Sequence, residues 1–283
     1  MSVQVDVRCS GASLADAEPM AGTAPTERDW LFVEYAGSWG RQAVADSRLP
    51  DEVREHLAAW PGRVQLVRRH GREPAPGAGV RVFAATLGQT PVVRAGVLDR
   101  VEDLLTLADG DLTPYAGPLW LVCTNGRRDR CCAEVGRPVT ATLAARWPEA
   151  TWETTHLGGH RFSGTLLALP SGLTLGRLDA ESAVRACEEV EAGRVPVPVT
   201  RGRAGLDGAS QVAELHLRTA HGLTDVLVRG RDGDRVLLSG DGEPWEVTVT
   251  ESPGEPRAQS CGDLKLKAAP VYSVSGSRRS QGT

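Results

Sequence analysis

Cys123 closes the apolar run Leu119-Trp120-Leu121-Val122, and Cys131 and Cys132 follow across a short basic loop. The segment His156-Leu-Gly-Gly-His160 comes about two dozen residues later. A chain built this way must end a buried strand at Cys123 and bend two further segments back onto it. In α/β folds the C-terminal end of such a strand is where chemistry is placed. Two thiolates and two imidazoles together complete the coordination of a metal ion or of a [2Fe-2S] cluster.

The spacing narrows the chemistry. Cys123-Thr-Asn-Gly-Arg-Arg-Asp-Arg-Cys131-Cys132 is too long for the C-x-x-C of a thioredoxin or a zinc ribbon, and it suits a loop wrapped around something bulky. His156 and His160 would share a helix face, but each glycine between them costs a helix about 1 kcal/mol relative to alanine. A loop is the better expectation, with Gly158 and Gly159 letting the backbone pass close to a bound group. The segment lacks the glutamate of H-E-x-x-H, which excludes a zinc-protease motif. Taken singly, each of these residues could also be a surface histidine or a small core cysteine.

The net charge of -4 argues against a general nucleic-acid binder. Arginine carries nearly all the positive charge, since Lys265 and Lys267 are the only lysines. No stretch approaches the roughly 20 apolar residues of a membrane span. Met1 to Asp16 shows neither an apolar signal core nor a cleavage site, so the expectation is a cytoplasmic protein in which stable disulfides do not form. Clustered cysteines then point to metal or redox chemistry. Cys9, Cys187 and Cys261 read as small, partly buried hydrophobes.

Patterning divides the chain into three. Residues 1–112 read as an α/β unit: a strand at Trp30–Tyr35, helices near Arg41–Asp46 and Pro50–Ala59, strands at Val64–Val67 and Val80–Ala84, and a short helix at Arg100–Leu107. Residues 113–194 repeat the scheme. Here the strand ending at Cys123 is followed by a helix at Val139–Trp147, a strand at Thr151–Thr155, a hairpin at Phe162–Leu178 and an amphipathic helix at Ala180–Ala192. The two units are weak echoes of each other, and the first has no cysteine or histidine in the corresponding loop. Residues 195–283 form an extension with a helix around Gln211–Leu215, short strands at Asp225–Val228, Arg235–Ser239 and Trp245–Val249, and a tail from Ser273 expected to be disordered.

Several segments together resemble the sucrase/ferredoxin-like family, which includes bis-histidinyl thioredoxin-like ferredoxins of fungi and actinobacteria. They are Cys123–Ala133, His156–Phe162, Leu175-Gly-Arg-Leu178, Glu18–Ala24, Gly37-Ser-Trp-Gly-Arg41, Gln211–Leu215 and Ser260-Cys-Gly262. The resemblance implies two thioredoxin-like units in tandem, the second of ferredoxin type, plus a small C-terminal α+β extension. It implies a [2Fe-2S] cluster on Cys123, Cys132, His156 and His160, with Cys131 a bystander or the alternative to Cys132. It further implies an electron carrier between a reductase, of the ferredoxin or flavin type, and an acceptor, rather than an enzyme. Many relatives carry a histidine where this chain has Asn125, a position not expected to ligate. Despite the family name, no carboxylate pair sits in a glycosidase context.

Replacing two thiolates by neutral imidazoles leaves an oxidised cluster about neutral instead of about -2, so an electron is accepted more readily. A solvent-reaching ring nitrogen would couple reduction to protonation. Arg127, Arg128 and Arg130 form either a solvated loop or a docking surface for an acidic redox partner. Two other readings use the same residues: a structural Cys2His2 zinc module without redox activity, and a thiol–disulfide exchanger, which the lack of C-x-x-C disfavours.

Overall fold

The computed structural model describes residues 8–280. In chain order the elements begin with α1 (Cys9–Ala15), β1 (Asp29–Glu34), α2 (Asp51–Ala58), β2 (Arg63–Arg68), β3 (Val80–Thr86), β4 (Val92–Leu98) and β5 (Thr113–Pro114). They continue with β6 (Leu119–Cys123), α3 (Arg130–Arg146), β7 (Thr151–Thr154), β8 (Leu166–Leu169), β9 (Leu173–Leu175), α4 (Ala180–Glu191), β10 (Thr200–Arg203) and α5 (Gly208–Ala220). The chain closes with β11 (Val226–Asp232), β12 (Arg235–Gly240), β13 (Glu243–Pro253), β14 (Arg257–Ala258), β15 (Leu266–Lys267) and β16 (Pro270–Arg279).

This is a mixed α/β protein organised on one ten-stranded sheet in the order β10-β9-β8-β6-β7-β2-β1-β3-β4-β5. The two halves of that sheet are built alike. In the first, β1 runs parallel to β2 and antiparallel to β3, which pairs with β4. In the second, β6 runs parallel to β7 and antiparallel to β8, which pairs with β9. The halves join where β2 meets β7 antiparallel, Val67 opposite Thr154 and Arg68 opposite Glu153.

Period-two alternation explains how both sheet faces are used. Trp30 and Phe32 point to one core with Leu119, Leu121, Cys123 and Trp152, all buried. Leu31 and Val33 face the opposite way, under α2. Trp120 and Val122 do the same in the second half, packing on Val139, Leu143, Ala183 and Cys187 of α3 and α4. A third core lies between α5 and the four-stranded sheet β11-β12-β13-β16.

Four local expectations change. Arg41–Asp46 forms turns instead of a helix: the Gln42 amide donates to Asp46 Oδ2 at 2.8 Å, a side-chain bond that competes with helical pairing. Val92–Leu98 is a strand that the irregular pattern around Gly96 concealed. The helix expected from Val139 starts at Arg130, because Asp129 caps it. The tail expected to be disordered from Ser273 is strand β16 up to Arg279, paired with β13; residues 281–283 lie outside the described residues.

Candidate metal centre

Asp129 places the cysteine pair. Its carboxylate accepts the Cys131 amide at 2.9 Å, and the helix that follows holds Cys131 and Cys132 in its first turn. Amides and dipole at a helix N-terminus favour thiolate over thiol. The helix reaches the end of β6 only because position 136 is glycine: a Cβ there would lie 2.1 Å from the Cys123 carbonyl oxygen. Cys123 and Cys132 are thereby brought to one place, and both are fully buried.

The histidine segment leaves β7 as a loop, as its glycines predict. Gly158 and Gly159 take φ values of +88° and +68°, which side chains rarely adopt. Arg63 Nη2 donates to the His156 carbonyl at 2.7 Å, and the buried Arg201 donates to the Gly158 carbonyl at 3.0 Å. Arg161 pairs with the buried Glu18 at 2.6 Å. Burial, with Arg161 and Arg63 close by, lowers Arg201 to about 9, while the Cys123 thiolate acts the other way.

The ligand atoms of Cys123, Cys132 and His156 lie within 4.8 Å of one another. His156 Nδ1 is 3.9 Å from Cys123 Sγ and 3.8 Å from Cys132 Sγ. Its other nitrogen, Nε2, is 3.2 Å from Nδ1 of His160. His160 is therefore reached through the His156 ring and does not touch the thiols directly. Its own Nε2 is buried without a hydrogen-bond partner.

The thiol pair shares its charge unequally. Cys132 and His156 donate to Cys123 and hold it well below the usual thiol value; the donor Cys132, itself buried, is pushed up. Burial, with His156 alongside, lowers His160, which favours the neutral imidazole a metal requires. A donor set of two thiolates and two neutral imidazoles, one with an orphaned nitrogen, fits a [2Fe-2S] cluster in composition and also fits zinc.

His156 lines a cleft of about 330 Å³ together with Arg41, the buried Asn125 and Arg128. Asn125 acts on structure: its side chain donates to the Gly40 carbonyl at 3.2 Å and accepts the Arg128 amide at 3.2 Å. Arg127 is exposed, and Arg130 pairs with Glu134 at 3.7 Å.

Cys131 points away from this group. Its sulfur lies 3.6 Å from that of Cys9 and 3.1 Å from that of Cys261, two residues the sequence presents as ordinary small hydrophobes. Of Cys9, Cys187 and Cys261, which the sequence presents alike, only Cys187 is plain core, buried between α3 and α4. No spacing rule could have found this second group, because its members come from both ends of the chain.

The family model for sucrase/ferredoxin-like proteins matches residues 20–202, and the chain belongs to that family. No curated protein and no solved structure matches it.

Proposed function

We propose that this member of the sucrase/ferredoxin-like family is a one-electron carrier that holds a [2Fe-2S] cluster on Cys123, Cys132, His156 and His160. The observation that carries the reading is the convergence of two buried thiols on His156 and, through it, on His160 with its orphaned nitrogen. Bound there, the cluster supplies reversible one-electron chemistry at a potential raised by its imidazole ligands. Burial of both thiols keeps water off the sulfur ligands. Arg63, Arg161 and Arg201 hold fixed positive charge around the histidine loop, which favours the added negative charge of reduction. His160 Nε2 faces Asp129 Oδ2, 3.8 Å away.

The cleft beside His156, rimmed by Arg41 and Arg128, is the docking face in this reading. It suits an acidic redox partner, such as a ferredoxin or flavin reductase. Each half of the main sheet is read as a thioredoxin-like unit, the first without a cluster and the second of ferredoxin type. Their shared strand order and polarity support this. Residues from 195 onward are read as the extension, which lends β10 to the edge of the main sheet beside β9.

The test is iron and acid-labile sulfide analysis with a visible spectrum on anaerobically purified protein. About two iron and two sulfide per chain are expected. Colourless protein without either would sink the proposal. The second reading, a zinc-stabilised binding module, is favoured by one observation: Cys123, Cys132 and His156 already surround a common point as a mononuclear site requires. Stoichiometric zinc lost on His156 substitution would establish it.

A further inference from the structure

We propose that Cys9, Cys131 and Cys261, with the Asp129 carboxylate as fourth ligand, form a second, separate site for one thiophilic divalent cation of the zinc class. The three sulfurs form a closed triangle with sides of 3.1, 3.5 and 3.6 Å. Zinc with Zn–S bonds of ~2.3 Å has thiolate–thiolate edges of about 3.8 Å in a tetrahedron, so the triangle need open by only about 0.2–0.7 Å a side to take the ion. Asp129 completes the fourth corner, its oxygens 3.8 and 3.9 Å from Cys9 Sγ. The Cys131 amide at 2.9 Å and the Cys261 amide at 2.8 Å fix the carboxylate in place.

Several features separate this group from chance core packing. Its cysteines come from α1, the first turn of α3 and the segment between β14 and β15, and 252 positions separate the two outermost. Cys9 and Cys131 are buried, as is Asp129. A single disulfide would join two of the sulfurs and leave the third unexplained. Three thiolates and one carboxylate would leave the zinc-bound site at about -2, the charge of an ordinary four-cysteine zinc site. A cleft of about 590 Å³ lined by Cys9, Asp16, Arg257 and Cys261 opens onto the group and offers the ion a path in.

Thiolate ligands select zinc over magnesium or calcium, and four protein ligands with no open position make the site structural. Bound there, the ion ties the N-terminal helix and the C-terminal extension to the capped end of α3. Asp129 then sits between the two groups, on the second through Cys131 and Cys261 and beside the first through His160.

The test uses the full chain, purified anaerobically under reducing conditions, with zinc, iron and sulfide measured together. One zinc per chain is expected beyond whatever Cys123 and the histidines hold. Cys9→Ser/Cys261→Ser should lose that one equivalent with iron content and visible spectrum unchanged. Cys123→Ser/His156→Ala should lose the metal of the first site and keep this zinc, so the two proposals fail separately. Absence of the extra zinc from the wild type, or its retention in Cys9→Ser/Cys261→Ser, overturns the proposal. So does a Cys131–Cys261 disulfide as the stable state under those conditions. Should the double variant not fold, alkylation of the wild type decides. Chelating the zinc should expose Cys9, Cys131 and Cys261 together, whereas equal labelling with and without zinc overturns the site.

Discussion

His160 Nε2 lies 3.8 Å from Asp129 Oδ2, so the residue that caps α3 also faces the far side of the histidine pair. Burial alone would raise the Asp129 carboxyl. Hydrogen bonds from Cys261 and from the Cys131 amide, with the His160 ring alongside, more than reverse that and hold it below its ordinary value. One carboxylate thus serves a helix terminus, the triple-thiol group and the histidine loop.

Asp129→Ala should destabilise the fold by about 2–4 kcal/mol. Loss of the cap costs about 1 kcal/mol. The stranded Cys261 amide, which donates to the other carboxylate oxygen, adds about 1–3 kcal/mol. Asp129→Asn keeps a cap acceptor and should cost less than half as much. Urea unfolding of the two variants beside the wild type makes the comparison.

Replacing both histidines, His156→Cys/His160→Cys, should retain a coloured protein while lowering its reduction potential by on the order of hundreds of mV, because two neutral ligands become thiolates. Spectroelectrochemical titration reads the shift. An unchanged potential would remove the histidines from the ligand set.

Gly159→Ala should disturb the histidine loop. The left-handed backbone at φ +68° costs alanine about 1–2 kcal/mol, and its Cβ would sit 2.4 Å from Arg201 Nη2. Gly71→Ala is the control, with φ +62° and nothing within 4 Å of the added carbon. It should pay only the backbone cost and leave iron content intact, whereas Gly159→Ala should lower it. Denaturation curves and metal analysis of the pair test this.

Glu214 carries the pH prediction. It is buried on α5 and pairs with Arg203 at 2.7 Å and Arg218 at 3.0 Å. Burial would raise its carboxyl, but the two guanidiniums outweigh that and hold it below the ordinary value of 4.5. A carboxyl depressed on folding stabilises above its unfolded value, and that stability is lost as pH falls through the folded value. Glu214→Gln should therefore cost about 3 kcal/mol near neutral pH by leaving two partly buried guanidiniums without their carboxylate. The gap from wild type should shrink in acid below 4.5. Urea midpoints across that range show whether it closes.

Much of the sheet was legible because a short apolar run is written inside each strand: Trp30–Val33 and Leu119–Cys123 announce strands buried on both faces, which the structure bears out. The glycines of His156–His160 likewise announced a loop. Arg130–Gly136 did not read as helix because its cap, Asp129, sits among three arginines, Arg127, Arg128 and Arg130, and its first apolar turn is cysteine. β4 was hidden by Gly96, whose missing side chain makes room for Leu112: a Cβ there would lie 2.7 Å from Leu112 Cδ2.

The sequence by itself determined the α/β patterning, the strand ending at Cys123 and the candidate donors Cys132, His156 and His160. Those are properties of short segments, carried by period, caps and spacing. Only the tertiary structure decided that β2 and β7 fuse two similar halves into one sheet, and that Cys131 turns from Cys132's partners to meet Cys9 and Cys261. Such meetings depend on which surfaces bury each other after the whole chain has closed, and no local periodicity records the closing of a loop that spans nearly the entire chain.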